Sequence, residues 1–389
     1  MSKTKALNLQ VLSTIDIKII FLVLCLLAIG GMMIVSSSVP YAEKQFDGNS
    51  LYFVKRHFIY LAVALMAAYI TLGIKIELWE KYGPWLLIIS IFLLVAVLFV
   101  GRTVNGSRRW IALGPITIQV SELVKLFVIT YIAGYLVRRT DELQTQFQGF
   151  IKPLIVVSII TVLLVAEPDF GAAAVIAATT MIMLFLAGAR LWQFVLLSVA
   201  VGGALSLVLV SQEYRYERLM IFLDPWKEPY GAGYQLIQSL IAYGRGELFG
   251  EGLGNSVQKL AYLPEAHTDF VFAVFAEEFG FIGVASVIIL YLYLFIKGMS
   301  IARAALKNNL TYAAYISYGI SIWLVLQAIV NIGVSSGALP TKGLTLPFIS
   351  YGGNSLVVCC IAIAILLRVH FETQQSQTSG KKKTKEVSA

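Results

Sequence analysis

Charge is scarce in this chain of 389 residues. Only 13% of them are Asp, Glu, Lys or Arg, against about a quarter in soluble domains, and 58% are hydrophobic. With a mean hydropathy of +0.79, the composition excludes a soluble globular domain and indicates an integral membrane protein. Cysteine is also scarce. Cys25, Cys359 and Cys360 all lie in apolar runs, where a thiol acts as a small hydrophobe, so no disulfide framework or metal cluster is indicated. Nucleotide-binding motifs are missing as well. "GRGELFGEGLGNS" fits neither the G-x-G-x-x-G nor the P-loop spacing, no strand precedes it, and it reads as a turn-rich loop. Nothing points to nucleic acid. No internal repeat is visible, which removes a frequent mark of secondary transporters.

What is abundant is long apolar segments. A span needs roughly 20 apolar residues to cross the hydrocarbon core. Ten segments qualify, near 17–39, 52–73, 84–100, 119–137, 152–166, 170–188, 191–210, 269–296, 313–334 and 346–367. The first is longer than a signal-peptide core and reads as a retained span. The expected fold is therefore an all-α polytopic membrane protein of ten transmembrane helices. A short tail (1–16) precedes the membrane domain (17–368), and a basic, disordered tail (369–389) follows it. The one large extracytoplasmic loop, 211–268, separates spans seven and eight. Orientation comes from the basic residues. The termini and the loops on their side carry 17 Lys and Arg against 7 acids, whereas the other side carries 12 of each, so both termini are expected to be cytoplasmic. In the large loop, "GYQLIQSLIAYGRG" sets Leu236, Ile237, Leu240 and Ile241 on one face, the pattern of a short helix lying in the membrane interface.

Away from the ends of the spans only a few ionisable residues remain: Glu122 and Lys125 in the fourth, Glu277 and Glu278 in the eighth. Each would cost roughly 2.5–3.5 kcal/mol at the bilayer centre, so each should face protein or a wet cavity. Glu122 and Lys125, three apart, share a helix face and read either as a structural ion pair or as part of a polar cavity. Asp269, at the outer mouth of the eighth span, also has two readings. "HTD" before an apolar run is a helix start, where Thr268 caps and an acid in the first turn is favoured by the dipole. The same dipole keeps a carboxylate ionised, and an ionised carboxylate beside a membrane cavity is a competent general base. Glu265 and His267 precede it, the latter either a second titrating group or a hydrogen-bonding loop residue. The outer loops also place Arg102, Arg108, Arg109 and Lys342 where either an anionic ligand or lipid headgroups would meet them.

The motifs "NGSRRWI", "SELVKL", "EPDFG", "FLDPWKEPYGAGYQLIQSL", "GEGLGNSVQKLAYLPEAHTDFVFAVFAEEFG" and "GALPTKGLTLPFISYGGNS" follow one another along nearly the whole chain. In this the sequence resembles the family of FtsW, RodA and SpoVE. The resemblance implies a peptidoglycan glycosyltransferase that polymerises lipid II at the outer face of the bacterial cytoplasmic membrane during septal wall synthesis. It implies that Asp269 is the catalytic residue and that Glu122 and Lys125 are the family's paired fourth-span residues. The implied partners are lipid II, the nascent glycan strand, a class B penicillin-binding protein and division regulatory proteins, in a setting of membrane lipids. It also implies that a divalent cation, Mg or Mn, can assist, although no ligand constellation stands out. Three positions depart from the common family pattern: Val120 where Pro often follows Gln119, Glu167 for Gln in the "EPD" turn, and Asn354 for Ser in "YGGNS".

A single carboxylate suffices for such a reaction. Glycoside hydrolases usually need a second carboxyl group to protonate the leaving oxygen. A lipid pyrophosphate leaves as a stabilised anion and needs positive charge instead. Asp269 is expected to deprotonate the 4-hydroxyl of the incoming lipid II, with inversion at the anomeric carbon of the growing strand. Arg102, Arg108, Arg109 and Lys342 are the candidates for holding pyrophosphate, on charge and side alone. A lipid II flippase and a divisome scaffold are the rival readings.

Overall fold

The computed structural model describes residues 16–46, 48–104, 107–114, 116–197, 199, 222–231, 233–340 and 343–387. Its helices are α1 (Ile17–Gln45), α2 (Tyr52–Leu72), α3 (Ile76–Val100), α4 (Val120–Arg138), the short α5 (Thr140–Thr145), α6 (Phe147–Ala166), α7 (Phe170–Leu186), α8 (Tyr234–Gly246), α9 (Val271–Lys307), α10 (Thr311–Ser335) and α11 (Gly353–Val387). Among the described residues eight of these are long and apolar enough to span a membrane; α7 is apolar but shorter. Most of the expected seventh span, 191–210, lies outside the described residues, as does the beginning of the large loop.

The helices α4, α10 and α11 are buried over most of their surface, with α9 and α7 packed on α10 and α2 packed on α11. Outer helices present large apolar side chains, such as Trp85, Phe92 and Phe99 of α3, where lipid would lie. Proline inside α1, α3 and α6 does not end them. In a bilayer the helix is the available way to satisfy the backbone, and local adjustment absorbs the lost bond. That is why α3 starts at Ile76 and not at Pro84, where the expected span began.

Three features depart from the sequence expectation. Residues 102–119, read as a loop, form a small antiparallel sheet: β1 (Arg102–Val104), β2 (Ser107–Leu113) and β3 (Ile116–Gln119), with Trp110 paired to Gln119 and Ile111 to Ile118. The segment 343–352, assigned in part to the tenth span, is a loop, because Pro347, Gly352 and Gly353 interrupt the apolar run before α11 begins. The tail expected as disordered is helical through Val387. It has no proline, and bonds from Gln374 to His370 and from the Thr378 hydroxyl to the Gln374 carbonyl continue the helix on its own surface.

The amphipathic α8 forms as expected, and its apolar face packs on protein. Its buried residues Leu236, Ile237 and Ala242 pack on the first half of α9 and against α10. That half of α9, up to Phe279, is nearly all buried, and Gly280 interrupts the helix with φ +63°. A side chain at Gly280 would meet the Gly250 nitrogen at 2.4 Å. A break leaves backbone groups that must find partners elsewhere. The loop after α8 provides them: the amides of Glu251 and Gly252 donate to the carbonyls of Glu277 and Glu278, and the carbonyls of Glu247 and Leu248 accept from Phe281 and Ile282.

Glu277 and Glu278 fasten the same loop. Glu277 accepts from the Ser256 hydroxyl and from the amides of Val257 and Gln258, and pairs with Arg245 at 3.3 Å. Glu278 accepts from the Lys259 ammonium at 2.8 Å and the Ser36 hydroxyl at 2.6 Å. The two acids point apart, as their 100° separation requires, and both tie the loop to the bundle. Lys259→Met leaves a buried carboxylate with one hydroxyl donor and is expected to cost about 3–5 kcal/mol. Arg245→Met leaves Glu277 its three other donors and should cost less. Thermal melting of the detergent-solubilised variants checks this, and equal losses would overturn the assignment.

Candidate active site

The turn just before α9, the sheet, α2 and the 343–352 loop meet around a cavity of about 560 Å³. Asp269 is on its wall, in the turn that leads from Leu263 into α9. The helix proper starts at Val271, and neither Asp269 nor Thr268 caps it: Phe270 occupies the N-cap without a side-chain bond, and the Thr268 hydroxyl turns back to the carboxylate of Glu265 at 2.5 Å. The helix-start reading of "HTD" is thereby corrected. The Asp269 carboxylate receives no hydrogen bond from the described residues, and Gly343 packs directly on it, so that a Cβ there would lie 2.6 Å from Oδ2. Burial, with a smaller contribution from the Glu265 carboxylate and opposition from Arg109, raises the Asp269 pKa to about 7. The carboxylate is therefore held at the edge of ionisation, and not kept fully ionised by a helix dipole.

The other expected site residues divide into three groups. Glu122, Arg109, Glu265 and His267 share the cavity wall with Asp269. His267 is packed among the rings of Tyr41, Phe53 and Tyr351, and its burial lowers its pKa against the pull of Glu265, so it faces the cavity as a neutral imidazole. Glu265 has φ +56°, a conformation that turns the chain sharply just ahead of Asp269. Lys125 lies beneath the wall, fully buried, donating to Glu122 at 2.8 Å and to Gln327 at 2.7 Å. Both readings of the pair hold at once: it is a neutralised ion pair, and Glu122 faces the cavity.

Arg102 and Arg108 do not reach the cavity. Both are exposed on the sheet, and Arg108 bonds to Thr103 and to the Leu98 carbonyl. Strand alternation explains the correction: neighbouring residues on β2 point to opposite faces, so Arg109 turns inward and Arg108 outward. Lys342 lies outside the described residues, although the adjacent Gly343 is on the wall.

Arg109 also holds the "EPD" turn, donating to the carbonyls of Glu167 and Pro168. Asp169 caps α7 through the Ala172 amide and lines the cavity. The Glu167 carboxyl is buried without a partner among the described residues, and burial together with Asp169 pushes it to about 8. At neutral pH it is mainly the protonated acid, close in shape and charge to the glutamine it replaces in the resembled pattern. Asn354, another departure, bonds the Thr117 carbonyl at 2.9 Å and so ties α11 to β3. The Val120 departure leaves Gln119 extended, with α4 starting directly after it.

Sequence reasoning missed Arg56 and Tyr60 of α2, as well as Asp169 and Tyr351, all on the wall. Arg56 was within reach: basic residues in the first turns of a helix that is apolar beyond them were the available signal. Its guanidinium bonds the Tyr52 hydroxyl at 2.7 Å. The cavity thus combines a carboxylate poised to take a proton with two guanidinium groups suited to an anion and a wall of aromatic rings.

Residues 17–375 match the family described as "Cell cycle protein", that of FtsW, RodA and SpoVE. A protein of Alteromonas naphthalenivorans named probable peptidoglycan glycosyltransferase FtsW is 53% identical, over 94% of this chain and 70% of its own length. One of Coxiella burnetii with the same name is 51% identical, over 92% and 97%. Among solved structures, a chain from "Structural coordination of polymerization and crosslinking by a peptidoglycan synthase complex" is 28% identical with a TM-score of 0.76, over 93% of this chain and 99% of that one. The rod shape determining protein RodA of Thermus thermophilus is 26% identical with a TM-score of 0.68, over 92% and 96%. On sequence and on fold, the chain belongs to the family of FtsW, RodA and SpoVE.

Proposed function

We propose that this protein is the glycosyltransferase of septal peptidoglycan synthesis, polymerising lipid II at the outer face of the cytoplasmic membrane. The observation that carries the reading is the Asp269 carboxylate, poised near neutrality on a wet cavity that also presents Arg56 and Arg109. The FtsW name of the relatives supports the substrate and the reaction. The distribution of basic residues supports cytoplasmic termini, which set the cavity at the outer leaflet.

In the reaction, the 4-hydroxyl of the acceptor lipid II gives its proton to the Asp269 carboxylate as its oxygen bonds to the anomeric carbon of the lipid-linked strand. The bond from that carbon to phosphate breaks with inversion, and the electron pair departs with polyprenyl pyrophosphate. Arg56 and Arg109 meet the charge that builds on the leaving group. Glu122 and Lys125 close the floor. Among the described residues no three His, Cys, Asp or Glu side chains converge as a cage for the divalent cation that the resemblance allows, and no step is assigned to one. A class B penicillin-binding protein is the partner proposed to crosslink the product, in keeping with the crosslinking function named for the similar complex. Division regulators complete the proposed assembly.

Labelled lipid II supplied to the protein in complex with its transpeptidase should give glycan polymer. Asp269→Asn is expected to reduce polymerisation by about 10²–10⁴-fold, the usual range for a lost general base, with complex formation unchanged. Polymerisation at the normal rate would remove Asp269 from the reaction, and lipid II flipping without polymer would favour a transporter. The pH profile gives an independent check. A base must be deprotonated, so kcat/KM should rise with pH up to about 7 and then level. Because Glu265 raises and Arg109 lowers that pKa, Glu265→Gln should move the rising limb to lower pH and Arg109→Gln to higher pH. A limb unmoved by either variant would assign it to another group.

A further inference from the structure

The helix α10 carries a polar stripe through otherwise apolar surroundings: Trp323, Gln327, Asn331 and Ser335, each four residues after the last and so on one face. Two of them, Gln327 and Asn331, bond residues that line the cavity. The Gln327 side-chain oxygen accepts from the Lys125 ammonium at 2.7 Å and from the Trp323 indole at 2.8 Å. Its nitrogen donates to the Thr345 carbonyl at 2.9 Å, and the Thr345 hydroxyl continues to Ser355 of α11 at 2.9 Å. One turn further on, the Asn331 nitrogen donates to the backbone carbonyls of Asp269, at 2.9 Å, and of Leu344. A turn beyond that, Ser335 is bonded by Ser239 and Tyr243 of α8.

The chemistry of the partners fixes both amides. Lys125 and the Trp323 indole are donors only, so Gln327 must offer them its oxygen and has its two N–H groups left for Thr345. Asn331 faces two carbonyls and must offer them its nitrogen. Its oxygen is buried without a partner among the described residues, so the side chain gives up one bond in order to hold these two. Such a loss has to be compensated, and what it secures is the separation of two loops. One loop carries Asp269. The other carries Gly343, whose missing side chain makes room for the Asp269 carboxylate.

We propose that Gln327 and Asn331 are positioning residues for the base. Together they clamp the 343–346 loop and the Asp269 turn to one rigid helix and reference both to the Glu122–Lys125 floor. Neither touches the reacting atoms. They hold the carboxylate against Gly343, with its free edge toward the cavity. This rests on the catalytic reading of Asp269 given above. A displacement of about 1 Å in a catalytic group can cost on the order of 100-fold in rate, so the effect should be large in kcat and small in binding.

The test joins two measurements on the full-length protein in its transpeptidase complex: amide hydrogen exchange, and polymerisation of labelled lipid II. In Asn331→Leu, exchange should speed up at 264–270 and 343–350 while the rest of the bundle keeps its protection. In the same variant kcat should fall by roughly 10–100-fold with KM for lipid II within twofold. Faster exchange throughout, an unchanged rate in the two loops, or a matching rise in KM would each overturn the proposal. Asn331→Ser keeps one donor in a smaller side chain and serves if the leucine variant does not accumulate. It should fall between the leucine variant and the native protein, and identity with the native protein in both measurements would also overturn the proposal. Loss of activity in Asp269→Asn tests the catalytic reading separately, and the exchange result is read without reference to it.

Discussion

The architecture depends on the cost of placing an ionised group in hydrocarbon. In such a setting a charge is tolerated only with a partner close at hand, and a pair must be hydrogen-bonded as well. Lys125 is fully buried and has Glu122, Gln327 and the face of Trp323 around it. Glu278 has Lys259 and Ser36, and Glu277 has Arg245 and three further donors. These partners come from α1, α4, α10 and the 245–259 segment. Satisfying the charges therefore links α4 to α10, and α9 to α1 and the 245–259 segment, and Glu122 carries the first of these links to the cavity wall. Asp269 stands apart from this scheme. Its carboxylate has no such partner among the described residues, and its proton affinity is raised accordingly.

The position of the cavity follows from irregular backbone. The Asp269 turn, the 343–352 loop and the small sheet are the non-helical segments around it. In membranes such backbone is accommodated where protein or trapped water can meet its polar groups. The mouth of the bundle where these segments gather meets both conditions. Its arginines come from two unrelated elements, Arg56 from a helix and Arg109 from a strand, and only the fold brings them to the same space as the carboxylate.

Several parts of this were legible in the chain itself. Long apolar runs located the helices, α2, α4, α7 and α10 to within a few residues at both ends, because the bilayer demands a length that composition reveals. Asp269 was legible as a misplaced acid, and Glu122 with Lys125 as a pair three residues apart. The sheet was not, since its few residues lie between spans and their alternation is too short to register against a loop. The break at Gly280 was hidden within an apolar run, where a glycine passes as an ordinary helix residue. Arg102 and Arg108 were assigned by charge and side alone, and only strand pairing separates them from Arg109. The stripe on α10 is four polar residues in a buried helix, each unremarkable singly, and its meaning depends on the loops it grips.

The interruption at Gly280 has a consequence for the order in which the protein is made. The backbone groups freed by the break, and both acids before it, find most of their partners in residues 245–259. That stretch precedes α9 in the chain and so leaves the ribosome first. When Glu277 and Glu278 arrive at the membrane, the groups that neutralise them have already been synthesised. A circular rearrangement that placed α9 ahead of this loop would keep every contact in the finished fold, yet would send two unpaired carboxylates into the bilayer with nothing there to receive them.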